Sequence, residues 1–274
     1  MTSTEAKAGS ETTLTAGDLF GRTFALWGGR FVPNALLSLI FHAPILLIAW
    51  AVLGRGTPTE KTVESWSSAE SFLTSILGML SSAAITYGSL RALRGQPATI
   101  GECAGRAFSS FGSLFVAGLI VGLLTAVIAI PIVAVWAAIT VGSRGQVDTG
   151  ATIALGVLVG IAGAIILTRY SLSSPAIVVE RVGASRSLKE SVRLTAGFRW
   201  TIFCLFVLVF AGVFAAGYVV GLTVHDPFTS TLATLGLTIL LESPISACAA
   251  AVAYHRLKLR KDGVNILDAA KVFD

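Results

Sequence analysis

Charge is the scarcest property of this chain. Asp, Glu, Lys and Arg supply 13% of its 274 residues, against roughly 25% in soluble domains. With 54% hydrophobic residues and a mean hydropathy of +0.80, that scarcity argues against a water-soluble fold. Cysteine is nearly missing as well. Cys103, Cys204 and Cys248 are scattered and odd in number, so neither a disulfide framework nor a metal site is expected, and they read as small apolar side chains. The three histidines, His42, His225 and His255, lie far apart, which speaks against a three-histidine zinc site. There is no His-Glu-x-x-His, no paired aspartates at helical spacing, no Gly-x-Ser-x-Gly and no phosphate-binding Walker loop. The expectation is a protein that is not an enzyme and carries no cofactor. The first 30 residues also lack an apolar core followed by a small-residue cleavage site, so the first apolar stretch reads as a retained anchor and not as a cleaved signal.

What the chain has in abundance is long apolar runs. Six of them, at 31–54, 69–91, 113–141, 150–172, 200–224 and 229–255, each reach the ~20 residues that cross a bilayer as a helix. Lipid offers the backbone no hydrogen-bond partners, which favours helices. Runs such as Leu114 to Ala138 are apolar on every face, unlike the alternating ~10-residue segments of a β-barrel. The fold class expected is all-α, a polytopic membrane helical bundle.

Lys and Arg set the orientation. Of 20 such residues, only Arg55, Lys61 and Arg144 fall in the odd-numbered loops, while the N-terminal segment, the even-numbered loops and the tail hold the rest. The positive-inside rule then places both termini in the cytoplasm of a bacterial inner membrane. The net charge of +5 follows from this asymmetry and from attraction to anionic headgroups, with no need for nucleic acid.

The sequence repeats itself. Thr15 to Phe31 and Thr99 to Phe115 match at seven of seventeen positions with an offset of 84, and a weaker third copy runs from Ser187 through Gly197 to Trp200. Thr99-x-x-Glu102 and Ser187-x-x-Glu190 fit the helix-initiating capping box, and Thr15-x-x-Asp18 is a shorter-armed version. Phe20, Phe24, Trp27 and Phe31 share one helical face. A short amphipathic helix lying in the interface before each odd span is expected, with bends at Gly28, Gly112 and Gly197. The chain divides into a disordered tail (1–14), a six-span domain (15–262, repeats at about 15–98, 99–183 and 184–262) and a C-terminal tail (263–274).

One loop is motif-like. In Pro175-Ala-Ile-Val-Val-Glu180-Arg-Val-Gly183-Ala-Ser-Arg-Ser-Leu-Lys-Glu-Ser191-Val-Arg-Leu194-Thr-Ala-Gly197, Pro175 is expected to end the fourth span. Ala176 to Val179 are β-prone, Glu180 and Arg181 turn the chain, and Glu180 reads as a structural ion pair or cap. This stretch resembles the signature of a large group of bacterial six-span membrane proteins of unknown function, related to the membrane domain that accompanies some glycerophosphoryl diester phosphodiesterases. The resemblance implies the six-span fold and gives Pro175, Glu180, Gly183, Ser191, Leu194 and Gly197 as its marker residues. It implies no phosphodiesterase activity, because that belongs to a separate catalytic domain whose carboxylate-and-histidine metal cluster has no counterpart here.

Two intramembrane polar residues stand out, each two positions before a proline: His42 before Pro44 and Glu242 before Pro244. An acid at bilayer centre costs roughly 2.5–3.5 kcal/mol and needs a partner. Glu242 either donates, protonated, to a carbonyl freed by Pro244 or lines a polar cavity with His42. Gly118-x-x-x-Gly122, Gly156-x-x-x-Gly160 and Gly217-x-x-x-Gly221 suggest close helix packing, in a compact bundle or a homo-oligomer. The reading drawn from all this is a membrane domain that interacts with lipids or scaffolds a membrane-protein partner. The alternatives are a small secondary transporter, although three same-sense repeats do not match the usual inverted pairs, and an intramembrane enzyme using Glu242.

Overall fold

The computed structural model describes residues 15–53, 60–142, 149–224 and 227–262. Both tails and His225 lie outside the described residues. The fold is all-helical, with no strand among the described residues. In chain order the helices are α1 (Ala16–Gly29), α2 (Phe31–Leu53), α3 (Glu60–Leu93), α4 (Ile100–Gly142), α5 (Thr149–Tyr170), α6 (Ser173–Glu180), α7 (Ala184–Thr195), α8 (Arg199–Thr223) and α9 (Pro227–Leu237). A π-helical turn (Thr238–Glu242) then leads into α10 (Ser243–Asp262). Six segments are long and apolar enough to cross a membrane: Phe31–Ala51, Glu70–Leu93, Ile100–Ala137, Leu158–Glu180, Arg199–Thr223 and Leu232–Asp262.

The middle of the bundle is α10 against α3. Within its span 61% of the apolar window is buried, against 6% for α4. α10 takes the centre because Ala247, Ala249, Ala251 and Ala253, all fully buried, keep its girth small where the other helices close on it. Around that axis, Leu37, Phe41, Leu114 and Ile177 close one side, and Leu19, Leu172, Ile202 and Leu205 close the other. The outer faces of α2, α4, α5 and α8 display large apolar side chains such as Trp50, Leu123, Ile165 and Phe214, the surface a helix presents to acyl chains. α4 is the longest element at 43 residues, about 64 Å at 1.5 Å per residue.

The capping signals divide. Thr15 Oγ1 accepts the Asp18 amide at 3.2 Å to start α1. Before α4 the box is complete, with Thr99 Oγ1 accepting from the Glu102 amide at 3.3 Å and Glu102 Oε2 accepting from the Thr99 amide at 2.7 Å. Ser187 caps nothing. α7 begins three residues earlier at Ala184, with Gly183 as its N-cap, and Ser187 Oγ instead donates to the Ala184 carbonyl from inside the helix.

The short helices expected before the odd spans divide in the same way. α1 is separate, and the rings of its Phe20, Phe24 and Trp27 and of Phe31, which opens α2, meet in sequence with centroids 4.6, 6.0 and 5.4 Å apart, while Leu19 and Thr23 turn into the core. The second copy has no bend: Gly112 sits inside the unbroken α4. Of the three glycines expected at bends, only Gly197 has a positive φ, at 88°. Pro175 does not end the fourth span either. The helix stops at Tyr170, and Pro175 occupies the first turn of α6, where its missing N–H is no loss. Ala176 to Val178, read as β-prone, are helical and fully buried.

Of the six Gly-x-x-x-Gly positions only Gly118 lies against a neighbour, its would-be Cβ 3.9 Å from Met79 Sδ. A Cβ built at Gly122, Gly156, Gly160, Gly217 or Gly221 would meet nothing within 4 Å. The close approach is at Gly88 instead, where a Cβ would come within 3.0 Å of Cys103 Sγ and 3.4 Å of Arg30 Nη2.

Candidate functional site

At the basic end of the bundle the motif-like loop folds into a clasp. Glu180, the last residue of α6, receives Lys258 Nζ at 2.6 Å and the Tyr254 hydroxyl, both from α10. Lys258 also reaches Glu190 of α7 at 2.8 Å and Asp262 at 3.1 Å. Arg193 joins Glu190 at 2.6 Å to Asp262 at 2.7 Å. Hydrogen bonds from Arg193 and Lys258 hold the Glu190 carboxyl below the usual carboxylate range. Lys261 Nζ then donates to the free carbonyls of Arg193 and, at 2.7 Å, Ala196, a cation at a helix C-terminus.

Each remaining marker residue has a place in this clasp. Ser191 Oγ donates to the Arg169 carbonyl at 2.9 Å and accepts the Leu172 amide at 3.1 Å, tying α7 to the α5–α6 turn. Gly183 precedes α7 in extended geometry, Leu194 is fully buried, and Gly197 turns the chain from α7 into α8. Lys258, Tyr254 and Asp262 are the partners that sequence reasoning missed, and they lie some 70 residues away from the loop.

His42 and Glu242 are not brought together by any hydrogen bond. His42 is fully buried on α2, its Nδ1 2.8 Å from the Ser38 carbonyl and its Nε2 without a partner. Glu242 closes the π-helical turn, half-buried, and accepts from Thr238 Oγ1 at 3.3 Å. No ion pair reaches Glu242 among the described residues. Pro244 therefore does not kink a regular helix. The register has already widened one turn before it, where the hydrogen-bond ladder would otherwise clash with its ring.

A cavity of about 280 Å³ opens between α3, α5, α6, α8 and α10. One wall carries hydroxyls, including Ser82, Thr86, Thr168 and Ser246, and the other carries Phe203, Phe206 and Phe210 of α8. Three of the hydroxyls are spent on nearby carbonyls, Thr168 on Ala164 at 2.7 Å, Ser171 on Thr168 at 3.1 Å and Ser246 on Ser243 at 3.1 Å. Thr86 is fully buried and its Oγ1 has no partner. A second cavity of about 230 Å³ lies across α5, sharing Ser82, Leu167, Ser171 and Ser174. This site was missed in the sequence although Ser82 and Thr86 at i, i+4, and Thr168, Ser171 and Ser174 at three-residue steps, were visible there.

Fold and site together define a class: an all-helical polytopic protein, compatible with an integral membrane protein, with an amphipathic cleft among its spans. The chain belongs to the DUF7847 family, a domain of unknown function, which matches residues 43–254. No curated protein and no solved structure matches it.

Proposed function

We propose that this chain is a non-catalytic membrane domain that seats part of a lipid-like molecule in the cleft between α3, α5, α6, α8 and α10, in a bacterial inner membrane with both termini cytoplasmic. The observation that carries this reading is Thr86, a buried hydroxyl with no partner on the polar wall of a cavity whose other wall is aromatic. A buried polar group without a hydrogen bond costs about 1–3 kcal/mol, and a ligand with an apolar body and a polar atom at that height would remove the cost. The volume, about 280 Å³, approaches the ~300 Å³ lower end of small-ligand sites, which fits a stretch of one acyl chain or a small amphiphile. Kinship with the membrane domain that accompanies phosphodiesterases belongs to this proposal and supplies no chemistry.

A second reading, a small transporter, draws on the π-helical turn at Thr238–Glu242 and the unpartnered His42 Nε2, since broken helices and intramembrane ionisable groups mark substrate paths. The test between them fills the cleft. Ala250 lines it and is 8% exposed. Ala250→Phe is expected to release co-purifying lipid seen by native mass spectrometry while the protein stays monodisperse. Unchanged lipid retention with intact folding would remove the cleft as the seat.

A further inference from the structure

One face of α2 is polar along the stretch that runs into the bundle. Asn34, Ser38 and His42 follow one another at four-residue steps, and all three are fully buried. Arg30 begins the series one turn earlier, half-buried at the basic end. Each of the four keeps one polar atom buried and without a partner: Arg30 Nε, Asn34 Oδ1, Ser38 Oγ and His42 Nε2.

The facing helices are polar along the same line. Asn34 Nδ2 donates to Cys248 Sγ of α10 at 3.5 Å, Ser89 Oγ of α3 meets that sulfur at 3.5 Å, and Ser81 Oγ of α3 lies 3.3 Å from Ser243 Oγ of α10. These contacts draw α2, α3 and α10 into one seam. At its inner end stands Gly78 of α3, where a Cβ would have His42 Nε2, at 3.9 Å, as its one neighbour within 4 Å. The missing side chain thus leaves room for a methyl-sized group beside that nitrogen. Beyond His42 the seam closes, because Ile45 and Ala49 are fully buried in a cluster with Leu235.

His42 Nδ1 lies 2.8 Å from the Ser38 carbonyl, which only accepts, so Nδ1 carries the proton and Nε2 the lone pair of the neutral ring. Asn34 Oδ1 is an acceptor too, Arg30 Nε is a donor and Ser38 Oγ serves as either. Four residues of helix rise about 6 Å, the span of two hydrogen bonds of about 2.8–3.0 Å each. One water therefore bridges successive groups, and water brings both donors and acceptors. The titratable groups on the elements around α2 include Glu70 of α3, Cys103 of α4, Glu242 of the π-helical turn and Cys248 of α10. None of them bonds to His42, whose one hydrogen bond among the described residues is with Ser38.

We propose that this seam holds a file of ordered water from Arg30 to His42, and that His42 is an intramembrane proton-binding site loaded from the basic end alone. The Nε2 lone pair takes a proton from the adjoining water, an N–H bond forming as an O–H bond breaks. That water regains a proton from the next one, and the last in the file regains it from bulk solvent. The imidazolium is then solvated by the file, and with the far end closed the proton leaves the way it came. The seam shares no residue with the lipid cleft, and it gives the His42 of the transporter reading a role that needs no carried substrate.

The full chain, with isotope-labelled histidine, is studied in nanodiscs by solid-state NMR. Magnetisation transfer from water reports hydration of the ring, the Nε2 shift reports its proton, and His42→Gln assigns the signal. The expected result is transfer from water to His42 and protonation of Nε2 between about pH 8 and about pH 4.5, a range around the ordinary histidine value of ~6.5. Gly78→Ala, whose Cβ takes up the room at 3.9 Å without a clash, should slow the transfer about tenfold, the factor that one hydrogen bond carries. Ser38→Ala, which removes a bridging hydroxyl and adds no atom, is the second variant should Gly78→Ala fold poorly. Ala250→Phe, in the separate cleft, should leave His42 hydration unchanged. A ring that water does not reach, a lone pair kept on Nε2 throughout that range, or transfer as fast in both seam variants as in the parent overturns the proposal.

Discussion

At the scale of single residues, Gly88 and Gly197 are constrained for different reasons, one steric and one conformational. Gly88 faces Cys103 so closely that an added Cβ would stand 3.0 Å from its sulfur. Gly88→Ala is expected to destabilise the bundle by about 1–3 kcal/mol, the range of overpacked cores. Adding Cys103→Ala should recover most of that loss, read as the midpoint of thermal unfolding in detergent. Gly197, with φ at 88°, is tight conformationally and not sterically, since nothing lies within 4 Å of its would-be Cβ. Gly197→Ala should cost about 1–2 kcal/mol from left-handed backbone alone. Gly28→Ala, in ordinary helix with open space around it, should cost nothing by the same measurement. In the sequence Gly28 and Gly197 read alike, as bends, and Gly88 gave no signal. Only backbone geometry separates them, and that depends on where the neighbouring helices stop.

At the scale of elements, the clasp between α6, α7 and α10 should respond to acid. Glu190's carboxyl is held low by Arg193 first and Lys258 after it. A carboxylate depressed in the folded state stabilises fully above its unfolded value, ~4.3, and that contribution is lost as pH falls through the folded value. Protection of the α7 amides, taken relative to the intrinsic exchange rate at each pH, should therefore fall on acidification below about pH 4. Glu190→Gln should flatten that dependence and raise exchange at neutral pH. A pH profile identical in the variant would show that the clasp is held by packing instead. Elements were legible where the signal was local: the Thr99–Glu102 box and the α1 aromatic face both needed residues within about a turn or two of each other. Ser187–Glu190 misled because α7 starts at Ala184, and polar Ser185 and Arg186 extend it without any hydrophobic period to announce them. Gly112 misled because one glycine costs only about 1 kcal/mol in a helix, less than breaking backbone hydrogen bonds at the edge of lipid. The Glu180–Lys258 pair spans most of the second half of the chain, and no spacing rule reaches that far.

At the scale of the whole molecule, the order of the six spans was readable because apolar length is a one-dimensional property. Which helix stands at the centre was not. The alanines of α10 give it modest hydropathy, and a reading by hydrophobicity alone would put the oily α4 inside. In lipid that logic inverts, as the most apolar faces turn outward and small residues meet within. The basic asymmetry makes a further expectation. Single cysteines placed beside Arg186 and beside Arg144 should react with an impermeant thiol reagent from opposite sides of the membrane, the former only after the cytoplasmic face is opened. Labelling of both from one side would end the six-span topology.

The length of α4 bears on the membrane as much as on the protein. A rod of 43 residues is about twice as long as the ~30 Å hydrocarbon layer, and it is pinned near one end where Arg106 holds Val178. A helix longer than the hydrocarbon layer accommodates by tilting, kinking or thickening the lipid around it, and Pro131 inside this one offers a place to kink. Where tilt takes up the difference, a thinner host bilayer is expected to lean the far end over and a thicker one to stand the helix upright.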